Sequence, residues 1–173
     1  GTMGGALAMN AGAFGSETWS LVEEVELVNR AGRFENRPAG SFAVSYRQVD
    51  IPPAHWFTAG GFRLSQGTGS EDASVRSLLE KRSETQPVRQ SSAGSVFRNP
   101  PNDHAARLIE SSGLKGLRIG GALVSMQHAN FIVNDRQACA KDIESLIERV
   151  QATVADHTGV RLVPEVRFVG EHQ

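Results

Sequence analysis

One stretch near the C-terminus constrains the fold most strongly, because its apolar residues recur at the spacing of a helix. These apolar positions are Ile143, Leu146, Ile147, Val150 and Val154. We predict a helix that is capped by Asp135, ends at Gly159 and needs another element to cover its apolar face. The only cysteine, Cys139, falls inside this predicted helix. We interpret it as a packing residue rather than a reactive thiol.

Short strands are predicted along the rest of the chain. They cover residues 19–29, 41–51, 56–64, 117–124, 131–133 and 160–169, and Gly60-Gly61 predicts a bulge in the third of these strands. Another helix with Val75, Leu78 and Leu79 on one face is predicted from Ser70 or Asp72 to Thr85, and residues 88–102 read as a loop. A short helix is predicted from Asp103, with Gly113 as its C′ residue. Strands and helices without strict alternation indicate an α+β fold.

The charge balance limits the classes of partner. The chain has 18 basic and 19 acidic residues and a net charge of −1, so no uniform field favours nucleic acid or an anionic membrane. No signal peptide or metal-ligand spacing is visible, which predicts a cytoplasmic protein without a metal site. A polar hinge at residues 67–70 predicts two domains, residues 1–69 and 70–173.

Several polar groups are candidates for chemistry, each beside a plainer interpretation. The loop Gly94–Pro100 contains Ser95, Arg98 and Asn99, which fits either a binding loop or a helix-capping turn. Glu165 and Arg167 share one face of the predicted last strand, as a functional pair or as a solvated ion pair. The pair Tyr46-Arg47 fits a site or a structural tyrosine beside a surface arginine. The glycine-rich start lacks the dinucleotide fingerprint.

Together, these segments resemble a known family. The runs GTMGGALAMNAGAFGSE, SYR, SAGSVFRNP, IGGALVSMQHANFIVN and PEVRFVG resemble UDP-N-acetylmuramate dehydrogenase over essentially the whole chain. The resemblance implies the remainder of the second FAD-binding domain, followed by a substrate-binding domain of mixed, mainly antiparallel sheet packed with helices. With one tyrosine, Tyr46, the chain looks like the subgroup that lacks a tyrosine-bearing loop insert. Val49 stands where the family usually has Ser or Thr shortly after Tyr-Arg.

The resemblance also implies a reaction and its residues. NADPH reduces FAD, and the flavin then passes hydride to the enolpyruvyl group of UDP-N-acetylglucosamine-enolpyruvate. Ser95 would donate a proton to the neighbouring carbon, while Arg47 and Glu165 would stabilise or protonate the enolate-like intermediate. The implied substrate-binding residues are Tyr46, Arg98, Asn99, Gln127 and His128, with the choice between Gln127 and His128 left open. The implied cofactor-binding residues are Gly1, Thr2, Gly4, Gly5, Asn10, Gly12, Ala13, Gly15 and Arg167.

The start of the chain is motif-like from Gly1 and has no initiator Met, which predicts a fragment whose upstream flavin domain is missing. Such a fragment is expected to be inactive alone and to retain little FAD. The alternative function is a UDP-sugar-binding module without catalysis. A third interpretation is an interaction fragment that forms dimers through the surface exposed by the missing domain.

Overall fold

The structure, a computed structural model, describes residues 1–66 and 71–170. It has an α+β fold, as predicted, built from helices and short antiparallel strands. The chain divides into two compact units, Gly1–Thr68 (unit 1) and Gly69–Gln173 (unit 2). The predicted hinge at residues 67–70 and the cap candidate Ser70 lie outside the described residues. The flavin and substrate roles assigned to the segments 1–69 and 70–173 remain predictions.

Unit 1 is built around a three-stranded antiparallel sheet in the order β4-β3-β7. Its elements are α1 (Met3–Met9), β1 (Gly12–Ala13), β2 (Ser16–Glu17), β3 (Val22–Asn29), β4 (Phe34–Pro38), β5 (Val44–Ser45), β6 (Gln48–Val49) and β7 (His55–Phe62). Strands β1 and β2 form one small hairpin, and β5 and β6 form another. The core of unit 1 contains Leu7, Trp19, Val22, Val25 and Val49. Helix α1 begins at the cap Thr2 and ends at Asn10, which has left-handed backbone angles.

The sequence predicted unit 1 only in part. The first and third predicted strands correspond to β3 and β7, whereas α1 and β4 were missed. The single strand predicted for residues 41–51 is wrong, because Tyr46 and Arg47 form the turn of the β5–β6 hairpin. The predicted bulge is displaced, since Gly60 and Gly61 pair in register with Val25 and Glu24 and the irregularities lie on either side.

The described part of unit 2 contains a four-stranded antiparallel sheet in the order β8-β11-β10-β9, against which α4 packs, and α3 packs on α4. Its elements are α2 (Glu71–Thr85), β8 (Ser92–Ser95), α3 (Ala105–Ser111), β9 (Arg118–Ile119), β10 (Ala122–Val124), β11 (Phe131–Asn134) and α4 (Ala140–Thr158). The face predicted for α4 is confirmed as core, with Leu146 and Val154 fully buried. Among the described residues, no helix is both long and apolar enough to cross a bilayer.

The helix ends in unit 2 correct several predictions. Helix α4 is capped by Cys139 rather than Asp135, and Cys139 is exposed, so its interpretation as a packing residue is wrong. The cap of α3 is His104 rather than Asp103, although Gly113 does take the predicted left-handed conformation after the helix. Helix α2 ends at Thr85 as predicted, but Val75 and Leu79 on its predicted apolar face are exposed.

The predicted strands of unit 2 also change. Residues 117–124 form the β9–β10 hairpin, because Gly120 and Gly121 turn the chain between the two strands. The loop predicted for residues 88–102 contains strand β8. The strand predicted for residues 160–169 is reduced to one isolated bridge between Pro164 and Phe97. Pro164 has no N–H to donate, so a regular ladder cannot continue through it.

Candidate functional site

Arg47 lies in a strained turn whose guanidinium is held by backbone carbonyls of unit 1. Its φ angle is 56°, in the left-handed region that a non-glycine residue adopts at a cost. Its Nη1 donates to the carbonyl of Asn10 at 3.2 Å and its Nη2 to the carbonyl of Gly12 at 2.9 Å. The Tyr46 ring lies 5.1 Å from the Arg47 guanidinium carbon, within the range of a cation–π contact. These contacts fix the direction of the arginine.

Asn10 joins the end of α1 to this turn. It is 1% exposed, and its Nδ2 donates to Glu17 Oε2 at 2.8 Å and to the Ser45 carbonyl at 3.2 Å. Its Oδ1 accepts the backbone N–H of Trp19 at 3.1 Å. The side chain predicted to bind cofactor is therefore engaged inside the protein, and no feature of the sequence indicated that Glu17 belongs to the same cluster.

The glycine-rich segment combines close packing with open surface. A side chain on Gly12 would meet the Ser16 carbonyl at 2.5 Å, and one on Gly4 would meet the Phe57 carbonyl at 3.4 Å. At Gly1 and Gly15 nothing lies within 4 Å of an added Cβ. The Thr2 hydroxyl oxygen accepts the N–H of Gly5 and so caps α1, and Ala13 is exposed on β1. The bare backbone at Gly1 and Gly15 fits a segment that lies against a flat ring system, as a flavin would require.

In unit 2, the loop after β8 brings the predicted serine and glutamate onto neighbouring segments. Ser95 is the last residue of β8 and pairs with Phe131. The backbone N–H of Glu165 donates to the carbonyl of Val96, the residue next to Ser95, at 2.8 Å. Both Ser95 and Glu165 are half-buried. The strand that was predicted to contain Glu165 does not form. The segment nevertheless runs next to the loop that contains Ser95, because its backbone bonds to Val96.

The loop is pinned by a buried asparagine that the sequence did not reveal. Asn130 accepts the N–H of Phe97 through Oδ1 at 3.0 Å and donates to the Phe97 carbonyl through Nδ2 at 2.8 Å. Its own carbonyl accepts the N–H of Val96 at 2.9 Å. A signal was available, because Asn130 immediately precedes the apolar residues Phe131, Ile132 and Val133 of β11, and an asparagine in a core must find hydrogen-bond partners.

Arg98 and Asn99 were both predicted to bind substrate, but they differ in the hydrogen bonds that they make within the protein. Asn99 Oδ1 accepts the N–H of Ala105 at 3.0 Å and so satisfies the first turn of α3. This is the capping function that was the plainer interpretation of the loop. Within the described residues, Arg98 Nε is buried without a hydrogen-bond partner. A buried guanidinium N–H without an acceptor fits a place where an anionic ligand supplies one.

Gln127 and His128 lie in the turn before β11. Gln127 Nε2 donates to the carbonyls of Ser83 and Glu84, both at 2.9 Å, and thereby caps the C-terminus of α2. His128 accepts the N–H of Asn130 on Nδ1 at 3.2 Å, and burial lowers the pKa of its imidazole. The neutral ring therefore carries its proton on Nε2, and the choice between Gln127 and His128 as a substrate contact stays open.

Several cavities open on the described part of unit 2, and two of them bear on the site. One, of about 570 Å³, is mainly apolar and is lined on its polar side by Glu144 and Arg167, the latter a predicted cofactor-binding residue. The other, of about 620 Å³, lies beside Gly94 and is lined by Arg82 and Arg89. The part of the chain described by the structure holds no cluster of three or more His, Cys, Asp or Glu side chains arranged for a metal ion.

Comparison with known proteins places this geometry in a family. Residues 86–169 match the family model "UDP-N-acetylenolpyruvoylglucosamine reductase, C-terminal domain". UDP-N-acetylenolpyruvoylglucosamine reductases of Alkalilimnicola ehrlichii and Methylococcus capsulatus are 56% and 58% identical to the whole chain, which spans 58% and 57% of their lengths. The crystal structure of UDP-N-acetylenolpyruvylglucosamine reductase from Thermus caldophilus is 36% identical, with a TM-score of 0.83 over 95% of this chain and 59% of that one.

These matches extend over both units and include every motif on which the resemblance was based. The name of the matched enzymes is another name for the family recognised from the sequence. The chain spans somewhat more than half the length of these relatives, and the family model matches within unit 2. The chain belongs to the UDP-N-acetylenolpyruvoylglucosamine reductase family.

Proposed function

We propose that this chain supplies the substrate-binding and part of the flavin-binding machinery of a cytoplasmic, NADPH-dependent UDP-N-acetylenolpyruvoylglucosamine reductase, which forms UDP-N-acetylmuramate for peptidoglycan synthesis. The observation that carries the proposal is the hydrogen bond between the Glu165 N–H and the Val96 carbonyl at 2.8 Å. It brings a carboxylate and the Ser95 hydroxyl onto adjoining segments. A hydroxyl and a carboxylate at one place suit proton delivery to a carbon.

Ser95 is the proton donor in this proposal. A serine hydroxyl is a weak acid, so it serves only a strongly basic carbon in a site that excludes water. Glu165 is half-buried on the adjoining segment, whose backbone bonds to Val96, and in this proposal it holds or replaces that proton. Arg47 stabilises the negative charge that develops on the enolpyruvyl carboxylate side. A fixed cation aimed at developing charge lowers the barrier more than it stabilises the bound substrate.

The substrate has two anionic parts, a diphosphate and a carboxylate. Arg98 Nε, buried without a partner in the described residues, is offered to one of them. The Nε2 proton of His128 and the ring of Tyr46 contribute directed polar and apolar contact, while Asn99 and Gln127 support the loops that carry them.

FAD, when bound, supplies the hydride, and NADPH renews it. Gly1 and Gly15 leave bare backbone for the flavin ring. The other cofactor contacts that we propose in unit 1 are Thr2, Gly4, Gly5, Gly12 and Ala13, whereas the buried Asn10 supports this segment from inside. Arg167 of unit 2 is a separate proposed cofactor-binding residue. Because the chain spans 58% of its relatives, we expect the 173-residue protein alone to be inactive and to retain little flavin. Stoichiometric flavin absorbance after purification would contradict this expectation.

The catalytic assignment is tested in a chimera that joins this chain to the remaining part of the Methylococcus capsulatus relative, 58% identical over the shared region. Oxidation of NADPH with the enolpyruvyl substrate is the readout. Ser95→Ala is expected to lower kcat by about 10²–10⁴-fold, the usual contribution of a general acid. Ser92→Ala, on the exposed start of the same strand, is the matched control. Equal rates in the two variants would remove Ser95 from the mechanism.

A second candidate is a UDP-sugar-binding module without catalysis. It is favoured by the cavity of about 620 Å³ beside Gly94, which is lined by Arg82 and Arg89. Two guanidinium groups at a cavity of ligand size suit a diphosphate. Calorimetry of the 173-residue chain with UDP-N-acetylglucosamine, compared with Arg82→Ala/Arg89→Ala, tests it. No heat at millimolar ligand, or equal heat in the double variant, would exclude this cavity as the site.

A further inference from the structure

We propose that Asn10 and Glu17 are positioning residues that hold the Arg47 guanidinium in its working direction. The inference rests on the proposed role of Arg47 and goes beyond it, because it assigns an internal function to Asn10 and a role to Glu17, the last residue of the glycine-rich run, for which no role was predicted. The two side chains are joined by the bond from Asn10 Nδ2 to Glu17 Oε2 at 2.8 Å.

Asn10 connects three backbone segments through one carboxamide. Its Oδ1 accepts the Trp19 N–H, and its Nδ2 donates to the Ser45 carbonyl, immediately before the Tyr46-Arg47 turn. With Glu17 as a further acceptor, these three contacts use both donor hydrogens and the oxygen of the amide, so its orientation is determined. This orientation fixes the distance between the end of α1 and the hairpin β5–β6.

The backbone of Asn10 also helps to hold Arg47. Its left-handed conformation, φ 46° and ψ 56°, ends α1, and its carbonyl accepts Arg47 Nη1. The Gly12 carbonyl accepts Nη2 two residues later. A Cβ on Gly12 would lie 3.3 Å from Arg47 Nη1 and 2.5 Å from the Ser16 carbonyl, so the arginine is seated where only glycine leaves room.

Arg47 needs this support because its own backbone is unfavourable. The φ angle of 56° costs energy in a residue with a Cβ and persists only when tertiary contacts hold it. A flexible arginine also loses side-chain entropy when it is immobilised. Positioning before substrate arrives removes these costs from the catalytic step, which is how a rigid surrounding shell raises the turnover rate.

The first test uses the 173-residue chain and needs no activity. The Arg47 guanidinium resonances are assigned by their loss in Arg47→Lys, and the rate of rotation about the Cζ–Nε bond is measured by NMR. Glu17→Ala and Asn10→Gly are expected to displace the Asn10 and Gly12 carbonyls that bind the guanidinium. Weakening these bonds by about 1.4 kcal/mol should raise the rate of rotation about tenfold. Glycine retains the left-handed backbone and the carbonyl of position 10.

Two further variants separate positioning from general destabilisation. Glu17→Gln keeps an acceptor oxygen for Asn10 and should retain slow rotation. Thr18→Ala removes a hydroxyl bond of 2.7 Å to the Ala11 carbonyl, in the same loop but outside the Asn10–Glu17 pair, and should leave the Arg47 resonances unchanged. Rotation that is unaffected by Glu17→Ala, or equally affected by Thr18→Ala, overturns the proposal even if Asn10→Gly fails to fold.

The second test is kinetic and uses the chimera described above. Glu17→Ala should lower kcat by about 10–100-fold with KM changed less than about threefold, the pattern of a misdirected group rather than lost binding. Glu17→Gln should restore most of the rate, and Thr18→Ala should match the parent. A change in KM alone would overturn positioning. If the NMR result holds but the parent chimera is not a reductase, the proposed function fails while the seating of Arg47 stands.

Discussion

Replacing Asn130 with alanine tests how the serine loop is held, because this side chain satisfies both backbone groups of one buried residue. Phe97 is 1% exposed, and its N–H and carbonyl are bonded to Asn130 at 3.0 and 2.8 Å. Each buried backbone group left without a partner costs about 1–3 kcal/mol. Two such groups would lower the free energy of unfolding by about 2–6 kcal/mol. Because alanine also removes the cost of burying the polar asparagine, we expect the lower part of this range, about 2–4 kcal/mol.

The chain offers a matched control four residues away. Asn134 makes the same pair of contacts with the backbone of Ala138, through Oδ1 at 2.7 Å and Nδ2 at 3.4 Å, but it is exposed. Water can replace both partners, so Asn134→Ala should cost less than about 1 kcal/mol. The difference between the two variants isolates burial, since the residue type and hydrogen-bond pattern are the same.

Urea unfolding is followed by tryptophan fluorescence and by far-ultraviolet ellipticity, so that the stabilities of unit 1 and unit 2 are measured separately. Both tryptophans, Trp19 and Trp56, lie in unit 1, whereas the long helices α2 and α4 lie in unit 2. Far-ultraviolet ellipticity therefore reports mainly unit 2. With a typical slope of about 1–3 kcal/mol per molar urea, Asn130→Ala should lower its midpoint by about 1–2 M. A midpoint equal to that of Asn134→Ala would refute the argument from buried backbone groups.

Three other perturbations follow from the packing and charges. Leu146→Ala, at a fully buried position of α4, should lower the free energy of unfolding by about 3–5 kcal/mol, and Leu79→Ala, 60% exposed, by less than about 0.5 kcal/mol, measured by denaturation. Gly12→Ala should cost about 1–3 kcal/mol by overpacking. The hydrogen bond from Arg107 lowers the pKa of Asp103 to about 2 from 3.8. Its stabilisation is therefore present above about pH 4 and lost as pH falls towards about 2, a dependence that Asp103→Asn should remove in acid titrations.

The sequence predicted elements whose signal is local and failed where distant groups decide. The apolar period of α4 and its end at Gly159 needed only neighbouring residues. The cap predictions failed because Asp103 and Asp135 are good caps in general, whereas helix α4 uses Cys139 with Asp142, whose carboxylate accepts the N–H of Cys139 at 3.1 Å. The last strand failed because alternation was given more weight than the missing donor of Pro164.

The candidate site shows the same division between local and distant causes. Ser95, Arg47 and Glu165 were predicted as site residues because they stand in motifs, and this assignment stays a prediction. The residues that hold their segments were not predicted as positioning groups. An asparagine next to apolar residues indicates that its side chain needs hydrogen-bond partners. Only the fold shows that Asn130 donates to the Phe97 carbonyl and that Asn10 donates to the Ser45 carbonyl, 35 residues away. A strained Arg47 turn without glycine or asparagine at its centre has no local cause at all. Carbonyls from another segment hold its guanidinium. Under the role that we propose for Arg47, a disturbance of those carbonyls should therefore lower turnover more than it weakens binding.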